Sequence, residues 1–554
     1  MRKTDLTYLV EILSKHLKTA SVHFRMEELQ LCLLSSPMDI TALSIVQTYT
    51  CLGAKASVFR ADYASTIKWG KPFLGQLSHD GKDSFVFVKE ITETDAIYYE
   101  GRLKRVVSAS DFKKEWTGIV VAIENIKERN QEKERLKTFI HSSLLLCIVV
   151  LFLISLHLSS LASANCLLDV MGGILCFGVI LQSSSPYYNI FEHFCIANTR
   201  LDCQKLDLGR WGVLLSKVNL GRMGFIYFFS CTLATVLAVI SPIPSVIYDW
   251  LAITSKGLLL LAVVSISYQL FAKRFCLLCL GIMGILVVNG VLAFSVKGIP
   301  FSFSLDIGLY FLIVVLASSG LLYMCEKYAG VKQRAFSTRM NELRIKRMQS
   351  VLGYFFMAKS TLLAHEDSIT LGDSEAPLTI TTYLSPWCKI CKKVAFEMIE
   401  LLRKYPDYIN WRIYFDGVKA TSINEVNLPQ LYLYQYLANG ENTNRKLAVL
   451  KSWYKKKSIK DLQTKIEVSS KDIEAILERF NNQLDAMADE RQVPIVWINN
   501  RIFPSCYSLA DLPYVLLDLC MIYSQEKKYE TVDSINMFDL CKHLNLCPAS
   551  YFVG

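Results

Sequence analysis

The sequence predicts a multidomain protein in which an α-helical membrane bundle lies between two soluble α/β domains. Of its 554 residues, 52% are hydrophobic and 20% are charged, which is too apolar for a soluble protein and too charged for one made only of membrane helices. The length suffices for three or four domains of about 150 residues each. Spanning a bilayer takes about 20 apolar residues. Segments that meet this requirement run near 139–160, 164–183, 223–243, 250–272, 275–296 and 306–324.

The region before these segments, residues 1–125, is predicted to be the first soluble domain. A helical pattern runs from Leu6 to Leu17, and a second one, DITALSIVQTYTCLG, closes at Gly53. Alternating runs typical of strands follow. They are KASVFRA, DSFVFVKEI, AIYYEG and GIVVAIE. Residues 1–20 carry acidic and basic side chains and no apolar core, so we expect the internal apolar segments to direct targeting.

The remaining boundaries follow from changes in composition. We predict a linker with the first span (126–163), a central bundle (164–300), a last span with a basic helical linker (301–369), a second soluble domain (370–525) and a tail (526–554). The net charge is +10, and the basic residues cluster beside the apolar segments. This placement favours contact with membrane lipid rather than with nucleic acid.

Of the 17 cysteines, Cys388 and Cys391 form a CxxC pair after a strand and at the start of a helix. A helix N-terminus stabilises a thiolate through its dipole and its unpaired N–H groups. Lys389 and Lys392 add positive charge, so we expect Cys388 to exchange disulfides and Cys391 to be its more buried partner. The alternative is half of a zinc site. No second CxxC or histidine pair accompanies this one at a suitable spacing, so we predict no metal.

The surrounding motifs of this domain resemble a known family. SPWCKIC after a strand, with VPIVWINN about 100 residues later, resembles the thioredoxin fold. The helical stretch between these motifs resembles the insertion of DsbA-like oxidoreductases. The resemblance implies that Pro386 and Trp387 support the site and that Val493–Pro494 is a cis-proline dipeptide facing it. Thioredoxins usually carry a buried aspartate six residues before the first active cysteine, where this chain has Thr382.

Two further cysteine pairs lie in the membrane region. FCIANTRLDC places Cys195 and Cys203 between the second and third spans, and RFCLLCLGIM places Cys276 and Cys279 at the head of the fifth. Over residues 164–296 this arrangement resembles the vitamin K epoxide reductase family. The alternative for the loop pair is a disulfide that only staples the loop.

This resemblance implies an order of exchange among the pairs. Cys195 is expected to engage the thioredoxin-like domain, Cys203 to exchange with Cys276, and Cys279 to face a quinone. The RWG motif that follows the loop pair places Arg210 and Trp211 as candidate quinone contacts. Gly209 stands where family members often carry serine or threonine.

Thiol chemistry suggests the same circuit. Disulfides pass between thiol pairs through mixed disulfides, and pairs within one chain meet at high effective concentration. A dithiol at the membrane edge needs an apolar two-electron acceptor, so we expect a quinone, either menaquinone or ubiquinone. The expected function is the formation of disulfides in cysteine-containing protein or peptide substrates. The alternative is a reductase or isomerase that runs the electrons in the opposite direction.

Residues 1–124 resemble the papain-like cysteine peptidase domain that trims double-glycine leaders from bacteriocin precursors. The resemblance lies in ITALSIVQTYTCLGAKASVFRAD, DSFVFVKEI and SASDFKKEWTGIVVAIE. Ser84 stands at the position of the family's histidine, and no cysteine precedes Cys32. A thiolate–imidazole pair cannot form without both residues, so we predict no peptidase activity. The alternative function for the whole chain is a peptide-binding component of a bacteriocin-like export or maturation system that uses the redox domains on its client.

Six spans put both soluble domains on one side of the membrane. The resemblances imply the inner membrane of a bacterium with the redox face in the periplasm. The positive-inside rule favours the opposite orientation, with this face in the cytoplasm. Lysines and arginines are concentrated on the side that carries the loop cysteines and both soluble domains. A five-span arrangement would separate the two domains. In the tail, Cys541 and Cys547 are candidates for a structural disulfide or for an accessory exchange pair.

Overall fold

A computed structural model describes most of the chain. The described residues are 3–37, 40–79, 82–101, 103–124, 160–184, 220–238, 241, 244–271, 277–294, 305–357, 368–419, 428–439, 442–456, 470–487 and 492–530. The chain divides into two compact units. The first unit comprises residues 1–23, 67–115 and 127–337, and the second comprises 24–66, 116–126 and 338–554.

The N-terminal region is an α/β arrangement of short elements, with strands where the alternating runs predicted them. Its helices are α1 (Lys3–Thr19), α2 (Met26–Leu34), α3 (Ala42–Cys51), α4 (Tyr63–Trp69) and α5 (Ala109–Glu115). Its strands are β1 (Ala56–Arg60), β2 (Phe73–His79), β3 (Lys82–Ile91), β4 (Asp95–Glu100), β5 (Leu103–Ser108) and β6 (Trp116–Ile123).

In the first unit, strands β2 to β5 form an antiparallel meander with α1 packed on it. The Tyr8 hydroxyl of α1 donates a 2.5 Å hydrogen bond to the backbone oxygen of Phe85. The ring of the buried His16 lies 5.6 Å from the ring of Phe87. These contacts fix the helix across the meander.

In the second unit, β1 and β6 pair in antiparallel register and α3 packs against both. Helix α3 begins at Thr41, whose side chain accepts from the Ser44 N–H while the Ser44 hydroxyl accepts in return, a capping box. It is joined to α2 by a disulfide between Cys32 and Cys51. Gly53, at a φ of +85°, ends the helix as the sequence predicted, since a positive φ favours glycine.

The middle of the chain consists of long apolar helices. They are α6 (Ser160–Ser184), α7 (Leu220–Ala238), α8 (Pro244–Phe271), α9 (Leu277–Phe294) and α10 (Leu305–Lys346). Among the described residues, three stretches are long and apolar enough to cross a membrane: Gly221–Ala238, Pro244–Ser267 and Leu305–Lys346. Two shorter apolar helices, Asn165–Ile180 and Cys279–Phe294, lie within predicted spans. This indicates a membrane protein; the predicted span at 139–160 lies outside the described residues.

Small residues let the apolar helices approach closely, as membrane helix packing requires. A Cβ atom added to Gly172 of α6 would lie 2.6 Å from the Phe228 ring of α7. Polar side chains pair inside the bundle, since lipid offers them no partner. The Asn289 amide donates 2.8 Å to the Asp169 carboxylate, and both side chains are buried.

Helix α10 continues without a break through the basic stretch that follows its apolar part and ends at Lys346. The sequence predicted a span and a helical linker there, and the structure joins them in one helix. Near its end, Arg339 and Lys346 both donate to the carboxylate of the buried Asp511, the Lys346 contact at 2.9 Å. The end of α10 is therefore fixed to the C-terminal region within the second unit.

The C-terminal region has a five-stranded sheet. The strands are β7 (Ile369–Gly372), β8 (Leu378–Leu384), β9 (Ile409–Phe415), β10 (Ile495–Ile498) and β11 (Arg501–Ile502). Their order is β11-β10-β8-β9-β7, in which β8 and β9 are parallel and the other neighbouring pairs are antiparallel. The β10–β11 hairpin turns at Asn499 and Asn500, whose φ angles of 45° and 64° match the predicted turn.

Helices cover the sheet and bury a large apolar core between themselves and the strands. They are α11 (Gln349–Phe356), α12 (Lys389–Lys404), α13 (Leu428–Asn439), α14 (Thr443–Lys456), α15 (Ser470–Ala486) and α16 (Leu512–Glu530). Helices α13, α14 and α15 are inserted between β9 and β10, as the predicted helical stretch requires.

Candidate active site

The CxxC motif lies where β8 ends and α12 begins. The Cys388 N–H donates 3.2 Å to the Ser385 carbonyl oxygen, which closes a four-residue turn over Pro386 and Trp387. Cys388 is the N-cap of α12, and its Sγ accepts from the Cys391 N–H at 3.4 Å. The turn thus places the half-buried Cys388 sulfur at the N-terminus of a helix of 16 residues, where N–H groups and the helix dipole favour negative charge.

The second cysteine of the motif, Cys391, has no solvent exposure. Its Sγ accepts a 3.4 Å hydrogen bond from the Ser385 N–H. Burial raises the pKa of the Cys391 thiol to about 12, so this group remains protonated at neutral pH. The two sulfurs therefore differ as exchange chemistry requires, one reachable at a helix terminus and the other enclosed beneath it.

The Val493–Pro494 peptide bond is cis, which the resemblance to thioredoxins predicted. It directly precedes β10, whose first residue, Ile495, pairs with Tyr383 near the end of β8. The dipeptide therefore lies at the same end of the sheet as the C-terminus of β8, which leads to Cys388. Val493 and Cys388 both pack against the core that contains Cys391.

Two large apolar side chains are exposed beside Cys388. Trp387 is 40% exposed and Ile390 is 66% exposed, whereas Pro386 is buried. Pro386 and Trp387 lie in the cysteine-bearing turn, and their supporting role stays a prediction.

Thr382, which stands six residues before Cys388, is completely buried. Its hydroxyl accepts a 2.9 Å hydrogen bond from the Trp411 indole N–H, so the site of the usual buried carboxylate is filled by a neutral pair. One carboxylate at this end of the sheet is that of Asp416. It follows β9, its N–H donates to the Leu384 carbonyl oxygen at 2.9 Å, and it accepts 3.1 Å from the Tyr383 hydroxyl.

The residues predicted for the membrane relay are described only in part. Cys279 lies in the first turn of α9 and is partly exposed. Cys195, Cys203, Cys276, Arg210 and Trp211 lie outside the described residues. The relay therefore stays a prediction.

Two features of the second unit were missed by the sequence reasoning. The first is the Cys32–Cys51 disulfide, which uses both cysteines of residues 1–124. With both sulfurs in this bond, those residues offer no thiol to a peptidase mechanism. The second is the pair Trp453 and Tyr454 of α14, which lies behind the CxxC turn; no motif marks either residue.

Comparison with known proteins concerns the C-terminal region. Residues 364–514 match a family model described as Thioredoxin. These residues have a thioredoxin fold. The match and the sheet order together identify a thioredoxin-like fold of the kind found in thiol-disulfide oxidoreductases. The resemblances of residues 164–296 and 1–124 stay predictions.

Similar solved structures each cover about a third of the chain. BdbD from Bacillus subtilis, in its oxidised form, is 11% identical over 29% of this chain and 97% of that one, with a TM-score of 0.23. The catalytic domain of Proteus mirabilis ScsC is 16% identical, and the match covers 31% of this chain and 99% of that one, with a TM-score of 0.23. MdbA, a thiol-disulfide oxidoreductase from Corynebacterium matruchotii, is 12% identical, and the match covers 30% of this chain and 98% of that one, with a TM-score of 0.22. No curated protein sequence matches the chain.

Proposed function

We propose that this protein forms disulfides in cysteine-containing proteins or peptides and passes the electrons to a membrane quinone. The observation that carries the proposal is the asymmetry of the CxxC pair. Cys388 is reachable at a helix N-terminus, whereas Cys391 is enclosed and its raised pKa keeps it protonated. A disulfide between them would be attacked at Cys388.

The exchange then takes two steps. A substrate thiolate attacks Cys388 Sγ, the Cys388–Cys391 bond breaks, and Cys391 leaves with the electron pair and takes up a proton. A second substrate thiolate attacks the substrate sulfur of the mixed disulfide, and Cys388 leaves with the electron pair of that bond and takes up the second proton. The substrate gains one disulfide, and the CxxC pair gains two electrons and two protons.

Reoxidation of the CxxC pair would use the membrane cysteines. In the proposed relay a Cys195–Cys203 disulfide accepts the two electrons and two protons, and a Cys276–Cys279 disulfide accepts them in turn. A quinone bound near Cys279 then takes them up and becomes a quinol, which restores the Cys276–Cys279 bond. Support for this part consists of the apolar helices, the position of Cys279 in the first turn of α9, and the sequence resemblance.

The side of the membrane is also a proposal. Residues 24–66 and 338–530 belong to one compact unit, and that unit contains the Cys32–Cys51 disulfide. Disulfides persist in oxidising compartments, which supports placing this unit outside the cytoplasm. A chain that leaves one side of a membrane and returns to it crosses an even number of times. With α6 to α10 as five crossings, the predicted span at 139–160 supplies the sixth.

The exchange activity can be tested with the full-length protein in detergent. The oxidised protein is mixed with a reduced peptide that carries two cysteines, and peptide disulfide is followed by mass spectrometry. Without quinone we expect up to three peptide disulfides per protein, one for each cysteine pair of the proposed relay, and none with Cys388→Ser. The matched control is Cys506→Ser, which removes an exposed cysteine of the same region. Equal oxidation by the Cys388→Ser and Cys506→Ser variants would refute the proposed site.

A further inference from the structure

Two consecutive residues of the inserted helix α14 hold the turn that carries Cys388. The Trp453 indole N–H donates 3.2 Å to the Pro386 carbonyl oxygen. The Tyr454 hydroxyl donates 3.3 Å to the Ser385 carbonyl oxygen. Both side chains are only 1% exposed. Successive carbonyls of one turn are thus bound by successive residues of one helix.

The carbonyl that Tyr454 binds is the one that closes the turn. Ser385 O accepts from the Cys388 N–H as well as from the Tyr454 hydroxyl. The N–H of the same Ser385 donates to Cys391 Sγ. A shift of Ser385 would therefore disturb the positions of both active-site cysteines.

Trp453 also fixes the exposed part of the turn. Its ring meets the Trp387 ring edge-on, with the centroids 5.2 Å apart and an interplanar angle of 70°. Edge-to-face pairs of this kind are stabilising beyond the burial of their surface. Trp387 is thereby held beside Cys388, although 40% of its surface is open to solvent.

We propose that Trp453 and Tyr454 are positioning residues of the CxxC site. They hold the Ser385–Cys388 turn so that the Cys388 sulfur lies at the N-terminus of α12, where the Cys391 N–H and the helix dipole stabilise its thiolate. This inference rests on the proposed exchange function, and it gives the inserted helices a role in the chemistry. Loss of either hydrogen bond loosens the turn and weakens the stabilisation of the Cys388 thiolate. Because the thiolate exists only in the reduced form of the pair, its loss of stabilisation favours the disulfide.

The test uses Tyr454→Phe and Trp453→Phe in the full-length protein, because each removes one donor and keeps an aromatic ring. The control is Tyr523→Phe. Tyr523 is also buried and donates 3.0 Å to a backbone carbonyl, that of Phe356, on a segment that does not belong to the CxxC turn. A variant that lowers stability without acting on the turn should behave like this control.

Two quantities are measured. The first is the pH midpoint for alkylation of Cys388 in the reduced protein, read by mass spectrometry of its peptide. The second is the equilibrium between the dithiol and the disulfide in glutathione buffers. We expect each test variant to move the midpoint upward and to shift the equilibrium toward the disulfide by about 3-fold, the effect of one modest hydrogen bond. The Tyr523→Phe protein should match the wild type in both quantities.

The proposal is overturned if both test variants give the same midpoint and equilibrium as Tyr523→Phe. If Tyr454→Phe does not fold, the Trp453→Phe variant decides. The alkylation midpoint needs no substrate and no electron acceptor. A failure of the proposed disulfide formation in the wild type is therefore distinguishable from a failure of the positioning role.

Discussion

The Tyr405 hydroxyl donates a 2.6 Å hydrogen bond to the backbone oxygen of Cys51, a residue 354 positions earlier. Lys404 Nζ donates to the same oxygen at 3.1 Å. Cys32, the disulfide partner of Cys51, offers its own carbonyl to Arg347 at 2.9 Å. The Cys51 carbonyl thus binds the thioredoxin-like region, and the Cys32 carbonyl binds Arg347, which follows α10. Both contacts hold α2 and α3 in place within the second unit.

The Tyr405→Phe variant tests this attachment. It removes the shorter of the two bonds to Cys51 and leaves the ring in the core. We expect hydrogen exchange of residues 42–51 to become about 5-fold faster, as loss of about 1 kcal/mol implies. Exchange in β3 serves as the internal control and should not change. Unaltered exchange in α3 would show that the bond does not hold this helix.

The disulfide itself should stabilise the second unit. Cys32 and Cys51 are separated by 19 residues, and closing a loop of that length stabilises a folded chain by about 3 kcal/mol in the chain-entropy model. We expect the double variant Cys32→Ala, Cys51→Ala to unfold several degrees below the wild type. Differential alkylation of the wild type should label both cysteines only after reduction. Labelling without reductant would contradict the bond.

A buried carboxylate gives the second unit a pH dependence. Asp518 accepts 2.6 Å from the Gln47 amide, and its other oxygen lies 3.8 Å from Arg347 Nε, beyond hydrogen-bond reach. Burial raises the pKa of Asp518 to about 6, despite the opposing charge of Arg347. Aspartate in an unfolded chain titrates near 3.9.

Between about pH 4 and pH 6 the folded state therefore binds one more proton at Asp518 than the unfolded state does. This proton stabilises the folded state, and the stabilisation is lost as the pH rises through about 6. From about pH 4 to pH 6 we expect the free energy of unfolding of the wild type to fall by about 2 kcal/mol relative to that of Asp518→Asn. Asp518→Asn keeps the shape and removes the titration. Parallel pH profiles for the two proteins would show that Asp518 is not the titrating group.

Membrane topology can be read from thiol accessibility. Cys506 is exposed and lies in the second unit, as does Lys55, whose side chain is half exposed. We expect a membrane-impermeant maleimide added to intact spheroplasts to label Cys506 and also an introduced Lys55→Cys. Labelling of Lys55→Cys only after lysis would place residues 24–66 in the cytoplasm and would contradict a shared side.

The sequence predicted local elements well and tertiary partners poorly. The stretch APLTITTYL before SPWC predicted β8, and the Asn499–Asn500 pair predicted the hairpin, because strand and turn preferences are set by neighbouring residues. Cys32 and Cys51 lie on different helices, so only the packing of α2 on α3 brings their sulfurs together. Trp453 and Tyr454 look like ordinary apolar positions of an amphipathic helix. Their polar atoms acquire a role only where α14 meets the CxxC turn.

The central claim is that Cys388 and Cys391 deliver electrons to a quinone through Cys276 and Cys279. The most direct measurement is the redox state of Cys388 and Cys391 in isolated membranes, trapped by acid and alkylation after reduction and addition of quinone. We predict that the wild type returns to the disulfide, whereas Cys276→Ala and Cys279→Ala remain as dithiols. Reoxidation of Cys388 and Cys391 in either variant at the wild-type rate would contradict the relay.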